Sequence, residues 1–144
     1  MPRALVDTTV LFAAAYRRDG AHDDALSILR GIDTADLPEA VILDYVLGET
    51  LNGLTTHAGH DAAVDFLDRL EENTRFRIES LTGDAFAAAK ALFRQYERFS
   101  FVDACIVAHM QTEGFGYLYA FDDDFDAADD IYRLDTATNP YHPG

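Results

Sequence analysis

Short apolar runs alternate with longer helical stretches along this 144-residue chain, and several of the runs stop on an acid. Arg3-Ala4-Leu5-Val6 stops at Asp7, Ala40-Val41-Ile42-Leu43 at Asp44, and Tyr117-Leu118-Tyr119-Ala120-Phe121 at Asp122. Runs of four or five apolar residues without polar alternation fit strands buried on both faces. Such strands separated by helices call for an α/β fold with a short, mostly parallel sheet covered by helices on both sides.

The intervening stretches carry helical spacing. Thr8 to Arg18 reads as an apolar helix broken by Gly20, and His22 to Gly31 as a second with Ala25, Leu26 and Leu29 on one face. Asp44 is placed to N-cap a helix from Tyr45 to about Thr56. His60 to Asn73 follows, its stripe made by Ala63, Val64, Phe66, Leu67 and Leu70. Phe76-Arg77-Ile78-Glu79 is a strand, and Thr82 or Asp84 opens an Ala-rich helix to about Tyr96. Ser100 with Asp103 three residues on is a capping-box pattern for a helix that Gly114 and Gly116 end. Ile131 to Leu134 is the last strand. The chain reads as one domain over residues 1–139 with a loose tail at 140–144.

Charge sharpens the reading. Asp and Glu number 26 against 11 Lys and Arg, a net of −15, and the only lysine is Lys90. A surface so acidic and so poor in lysine is expected of a protein from a salt-rich cytoplasm, where molar salt screens charge within a few ångströms. The 49 % of hydrophobic residues excludes intrinsic disorder. No apolar run is long enough for a membrane helix, no signal-peptide pattern opens the chain, and a single cysteine, Cys105, forms no internal disulfide. A cytoplasmic location is the expectation.

Parallel sheets build sites at the carboxyl ends of their strands. Asp7 and Asp122 occupy two such ends. Glu49 lies early in the helix leaving the Ala40–Leu43 strand, and Asp103 in the first turn of a helix that starts at the same edge. Four carboxylates on one rim raise one another's pKa unless a cation joins them. Oxygen donors without His or Cys favour Mg²⁺ or Mn²⁺ over zinc. A hard cation without a side-chain nucleophile suits phosphodiester hydrolysis by water.

The segments Asp7-Thr8-Thr9-Val10-Leu11, Val46-Leu47-Gly48-Glu49, Ser100-Phe101-Val102-Asp103-Ala104 and Phe121-Asp122-Asp123-Asp124-Phe125 resemble those of the PIN-domain nucleases. The similarity is greatest to the toxin ribonucleases of VapBC toxin–antitoxin modules. It implies a three-layer α/β/α domain, Mg²⁺-dependent (or Mn²⁺-dependent) cleavage of RNA, a homodimer and a small cognate antitoxin as inhibitor. Carried over by position, it assigns the acidic quartet to Asp7, Glu49, Asp103 and Asp122, an auxiliary metal acid to Asp124, and a water-positioning hydroxyl to Thr8 or Thr9. Asp126 has no counterpart.

A signalling receiver needs a lysine after a late strand, but Lys90 sits mid-helix. A haloacid-dehalogenase-like phosphatase needs Asp-x-Asp after the first strand, and Thr9 holds the second position. A domain of this type without catalysis, acting as an RNA- or protein-binding module, and a housekeeping RNA-processing nuclease are the alternatives to a toxin. Cys105 reads as a small buried hydrophobe. Arg94 and Arg98 are explained equally by phosphate contact and by a helix end that favours cations.

Overall fold

The computed structural model describes residues 2–142. Five strands, β1 (Arg3–Val6), β2 (Glu39–Leu43), β3 (Phe76–Glu79), β4 (Tyr117–Tyr119) and β5 (Tyr132–Leu134), form one sheet in the order β3-β2-β1-β4-β5. Every neighbouring pair is parallel. Helices α1 (Thr8–Ala15) and α2 (His22–Asp33) link β1 to β2. Then α3 (Asp44–Ala58) and α4 (His60–Glu72) link β2 to β3, and α5 (Gly83–Gln95) and α6 (Phe101–Glu113) link β3 to β4. A single 3-10 turn, Asp123–Ala127, joins β4 to β5.

Right-handed crossovers put α1 to α4 on one face of the sheet and α5 and α6 on the other, because the chain reverses direction across the sheet after β3. The apolar runs follow from this sandwiching. Ala4, Leu5 and Val6 of β1 and Ala40 to Leu43 of β2 are all buried. In α6 eight consecutive residues, Asp103 to Met110, are buried, as in a helix enclosed on every side. The reversal falls between β1 and β4, the switch point at which sites form in open parallel sheets.

Several boundaries differ from the sequence reading. Helix α1 stops at Ala15, not Arg18, because Tyr16 adopts an extended conformation and its carbonyl closes a turn with the Asp19 N–H. Asp44 does not cap α3; Leu43 takes the N-cap position. Its Oδ1 instead accepts from its neighbour Tyr45 N–H (2.9 Å) and from Leu81 N–H (3.2 Å), tying α3 to the loop after β3. Thr82, rather than Asp84, caps α5 by accepting from Ala85 N–H. In the tail, Tyr141 donates its hydroxyl to the Arg3 carbonyl (2.9 Å) and packs edge-on against Tyr117, so the chain is anchored that far. Residues 143–144 of that tail lie outside the described residues.

Candidate active site

Asp7 directly follows β1, and its backbone N–H reaches the carbonyl of Tyr119 across the switch point. It caps α1, its side chain accepting from Thr9 N–H. The Thr9 hydroxyl donates to Asp7 Oδ2 (2.8 Å) and accepts from Phe121 N–H (3.1 Å). One side chain therefore fixes the first acid and locks it to the segment that carries Asp122. The sequence offered two candidate hydroxyls, and the structure separates them. Thr9 is committed to this bridge, whereas Thr8 Oγ1 is buried with no partner among the described residues.

Asp103 arrives by the capping box expected of it. Ser100 Oγ accepts from Asp103 N–H (3.1 Å), and Asp103 Oδ2 accepts from Ser100 N–H (3.0 Å). Asp122 plays a matching part at the 3-10 turn, its Oδ1 accepting from Asp124 N–H (2.9 Å). That bond folds the turn back, and one carboxylate oxygen from each of Asp103, Asp122 and Asp124 lies within 4.8 Å of the others. Arg98 closes the outer side, its Nε donating to Asp124 Oδ1 (3.0 Å) and its other end 3.5 Å from Asp123. Asp126 points elsewhere, held by both of its oxygens to Arg133 (2.9 and 3.1 Å).

Asp7 and Glu49 stand outside the tight trio yet within electrostatic reach of it. Asp7 is only 3 % exposed, and burial pushes its carboxyl up to about 7 against the pull of the Thr9 bonds, with the charge of Asp103 adding to the rise. Asp103 is pushed up to about 6 by burial first, then by the charges of Asp122 and Glu49, while the Ser100 bonds oppose the rise. Glu49 sits on an exposed face of α3. Asp7, Asp103, Asp122 and Asp124 thus lie at the carboxyl edge of β1 and β4, and Glu49, on α3, is near enough for its charge to act on Asp103.

The Thr9 bridge had no reading from sequence, because it depends on a backbone N–H 112 residues away. Arg98, read from sequence as a phosphate contact or a cation at a helix end, lies beyond the end of α5 at Gln95 and is paired with Asp124 and Asp123. Cys105 is buried and its thiol is pushed up to about 11 by burial, so it is no nucleophile. His109 is buried too, with Nε2 3.1 Å from Glu79 Oε1, far along α6 from the acids.

Comparison with known proteins follows the same geometry. The PIN domain family model matches residues 4–131. No curated protein sequence matches. Among solved structures, one described as the sarcin–ricin loop cleaving toxin VapC20 of Mycobacterium tuberculosis is 34 % identical, with a TM-score of 0.76. The match covers 89 % of this chain and 96 % of that one. Two more distant structures share the fold. VapBC2 of Rickettsia felis, bound to a DNA fragment from its promoter, is 15 % identical over 92 % of this chain and 97 % of that one, with a TM-score of 0.69. FitAcB of Neisseria gonorrhoeae is 19 % identical over 96 % and 99 %, with a TM-score of 0.65. With a family match across nearly its whole length and the acidic cluster at the expected switch point, this chain belongs to the PIN domain family.

Proposed function

We propose that this protein is a divalent-cation-dependent endoribonuclease and the toxin of a toxin–antitoxin module. The observation that carries the reading is the carboxylate cluster at the β1/β4 switch point. Its donors are all oxygens, two of its acids are pushed well above their ordinary range, and an unpartnered Thr8 hydroxyl is buried beside Asp7 in sequence. This chemistry fits Mg²⁺ or Mn²⁺. Once bound, such a cation stabilises charge on a phosphoryl oxygen and makes water a stronger nucleophile.

The protein's own contribution is placement. Asp7, Glu49, Asp103 and Asp122 would hold the ion, with Asp124, oriented by Arg98, as the auxiliary acid. Thr9 sets the angle of Asp7, and the free Thr8 hydroxyl is available to orient a water. Among the described residues the one thiol, Cys105, is buried and pushed up to about 11, and the Thr9 hydroxyl is committed to Asp7 and Phe121, so water would be the attacking nucleophile and no covalent enzyme intermediate is expected. VapC20 is described as cleaving the sarcin–ricin loop, which makes a structured ribosomal RNA loop the first substrate to try. Several related structures are toxin–antitoxin complexes, which supports a cognate antitoxin as partner, and a homodimer completes the assignment. The nuclease domain would run over residues 1–139, with Tyr141 holding the start of the following tail against it. Among the described residues no helix is long and apolar enough to cross a membrane; a cytoplasm rich in salt suits the acidic surface.

The test is cleavage of a sarcin–ricin loop oligonucleotide and of total RNA with Mg²⁺ or Mn²⁺, from 0.1 to 3 M KCl. Endonucleolytic products that EDTA abolishes are expected. Asp103→Ala should lose at least ~100-fold in rate, the scale of removing a direct contact to the transition state. Activity should persist in molar salt. Cleavage that continues in EDTA, or full activity in Asp103→Ala, would overturn the reading.

A further inference from the structure

Beside the acids, an open cleft of about 690 Å³ runs along one face of α3. Asp44, Tyr45, Gly48, Glu49 and Asn52 line it from α3, and Val102 from the first turn of α6. The spacing of three to four residues puts these positions on a single helical stripe. Glu49 belongs to both the cleft and the acidic quartet, so the cleft is continuous with the site.

Three details give the cleft a specific chemistry. Gly48 leaves its floor bare: a Cβ built there meets nothing within 4 Å. Tyr45 is 39 % exposed yet fixed, its ring lying near-parallel to Phe86 and edge-on to Phe101, each with centroids 6.4 Å away. Asp44 is pinned through Oδ1 by the two backbone N–H groups of Tyr45 and Leu81, and no bond among the described residues uses its Oδ2. The lining contains two carboxylates and no cation. A phosphate would be repelled from such a cleft. An uncharged base that brings N–H donors would be accepted.

Resting on the ribonuclease reading above, we propose that this cleft seats an unstacked guanine of the RNA strand, next to the phosphate held at the acids. Proteins read single-stranded RNA by splaying a base onto aromatic and apolar side chains and bonding its Watson–Crick edge. Guanine offers adjacent N1–H and N2–H donors to the free oxygen of Asp44, while its ring covers Gly48 between Tyr45 and Val102. Uracil offers only N3–H, flanked by two carbonyls, so a single donor reaches the carboxylate and a repelled oxygen comes with it. A correctly matched base edge gives about 10-fold discrimination or more.

The test maps cleavage ends on total RNA and then measures kcat/KM on oligonucleotides that differ only at the base flanking the cut. Wild type should favour guanine over uracil by about 10-fold at one fixed position. Asp44→Asn keeps the Oδ1 acceptor but replaces the free oxygen with a donor, so the guanine-to-uracil ratio should collapse. Gly48→Leu fills the floor from a position whose Cβ meets nothing within 4 Å, and should raise KM while leaving Mn²⁺ affinity and melting temperature undiminished. Saturation-transfer NMR with guanosine and uridine in EDTA gives a readout free of cleavage. Guanosine alone should bind wild type, and neither nucleoside should bind Gly48→Leu. If RNA is cleaved but the base profile is flat, or is unmoved in both variants, the cleft assignment fails and the nuclease reading stands. If no RNA is cleaved, the nuclease reading fails and the guanosine signal alone decides the cleft.

Discussion

Replacing Asp7 with asparagine should stabilise the cation-free protein, although it removes an acid at the centre of the site. The carboxyl is buried, and its pKa rises from 3.8 to about 7 in the folded state. Between those values the folded protein holds a proton that the unfolded chain has released, so stability falls as pH rises from about 4 to about 7 and stays low above it. The full rise corresponds to about 4 kcal/mol. Asparagine is not free of cost. Its Oδ1 can still accept from the Thr9 hydroxyl, but its amide must find an acceptor in a buried setting, at about 1–3 kcal/mol if it fails. A net gain of about 2 kcal/mol above pH 7 is therefore expected, or roughly 4–8 °C in melting temperature for a chain of this size. Thermal melts followed by circular dichroism, in EDTA and high KCl from pH 4.5 to 8.5, measure it. Asp7→Asn should melt below wild type near pH 4.5, cross it at about pH 5 and lie above it at pH 8. An Asp7→Asn variant melting at or below wild type at pH 8 would refute the reasoning.

The remaining predictions concern the clamp and the assembly. Thr9→Val removes both the donor to Asp7 and the acceptor for Phe121 N–H, and should cost about 1–3 kcal/mol by chemical denaturation, with Thr9→Ser restoring most of it. Sedimentation equilibrium in high salt should return about twice the chain mass of 16.0 kDa, since Phe86 and Phe93 expose aromatic surface on α5 that a two-fold partner would cover; a monomer at micromolar concentration would remove the dimer and leave the nuclease assignment in place.

Much of the fold is written locally. The runs at Ala4–Val6 and Ala40–Leu43 are legible because strands covered on both faces have no polar alternation to disguise them. The capping box of Ser100 and Asp103 is legible because its two bonds lie within four residues. What sequence hides is whatever depends on contacts across the chain. Asp44 looks like a helix cap until Leu81 is seen to claim it. Thr8 and Thr9 are equivalent on paper, and only the approach of Phe121 N–H distinguishes them. In the run from Asp122 to Asp126, composition cannot tell the acid that faces Asp103 from the one that Arg133 takes away, because that depends on a 3-10 turn set by one side-chain cap.

That last distinction gives the most direct test of the central claim, that the acids at the β1/β4 switch point form a site for one hard divalent cation. Titration of Mn²⁺ into the apoprotein, followed by calorimetry and by loss of the free-ion electron paramagnetic resonance signal, measures it at fixed high KCl. Wild type should bind saturably, Asp103→Asn should bind at least ~10-fold more weakly through loss of a direct ligand, and Asp126→Asn, whose carboxylate is already held by Arg133, should match wild type. Equal binding by wild type and Asp103→Asn would contradict the account.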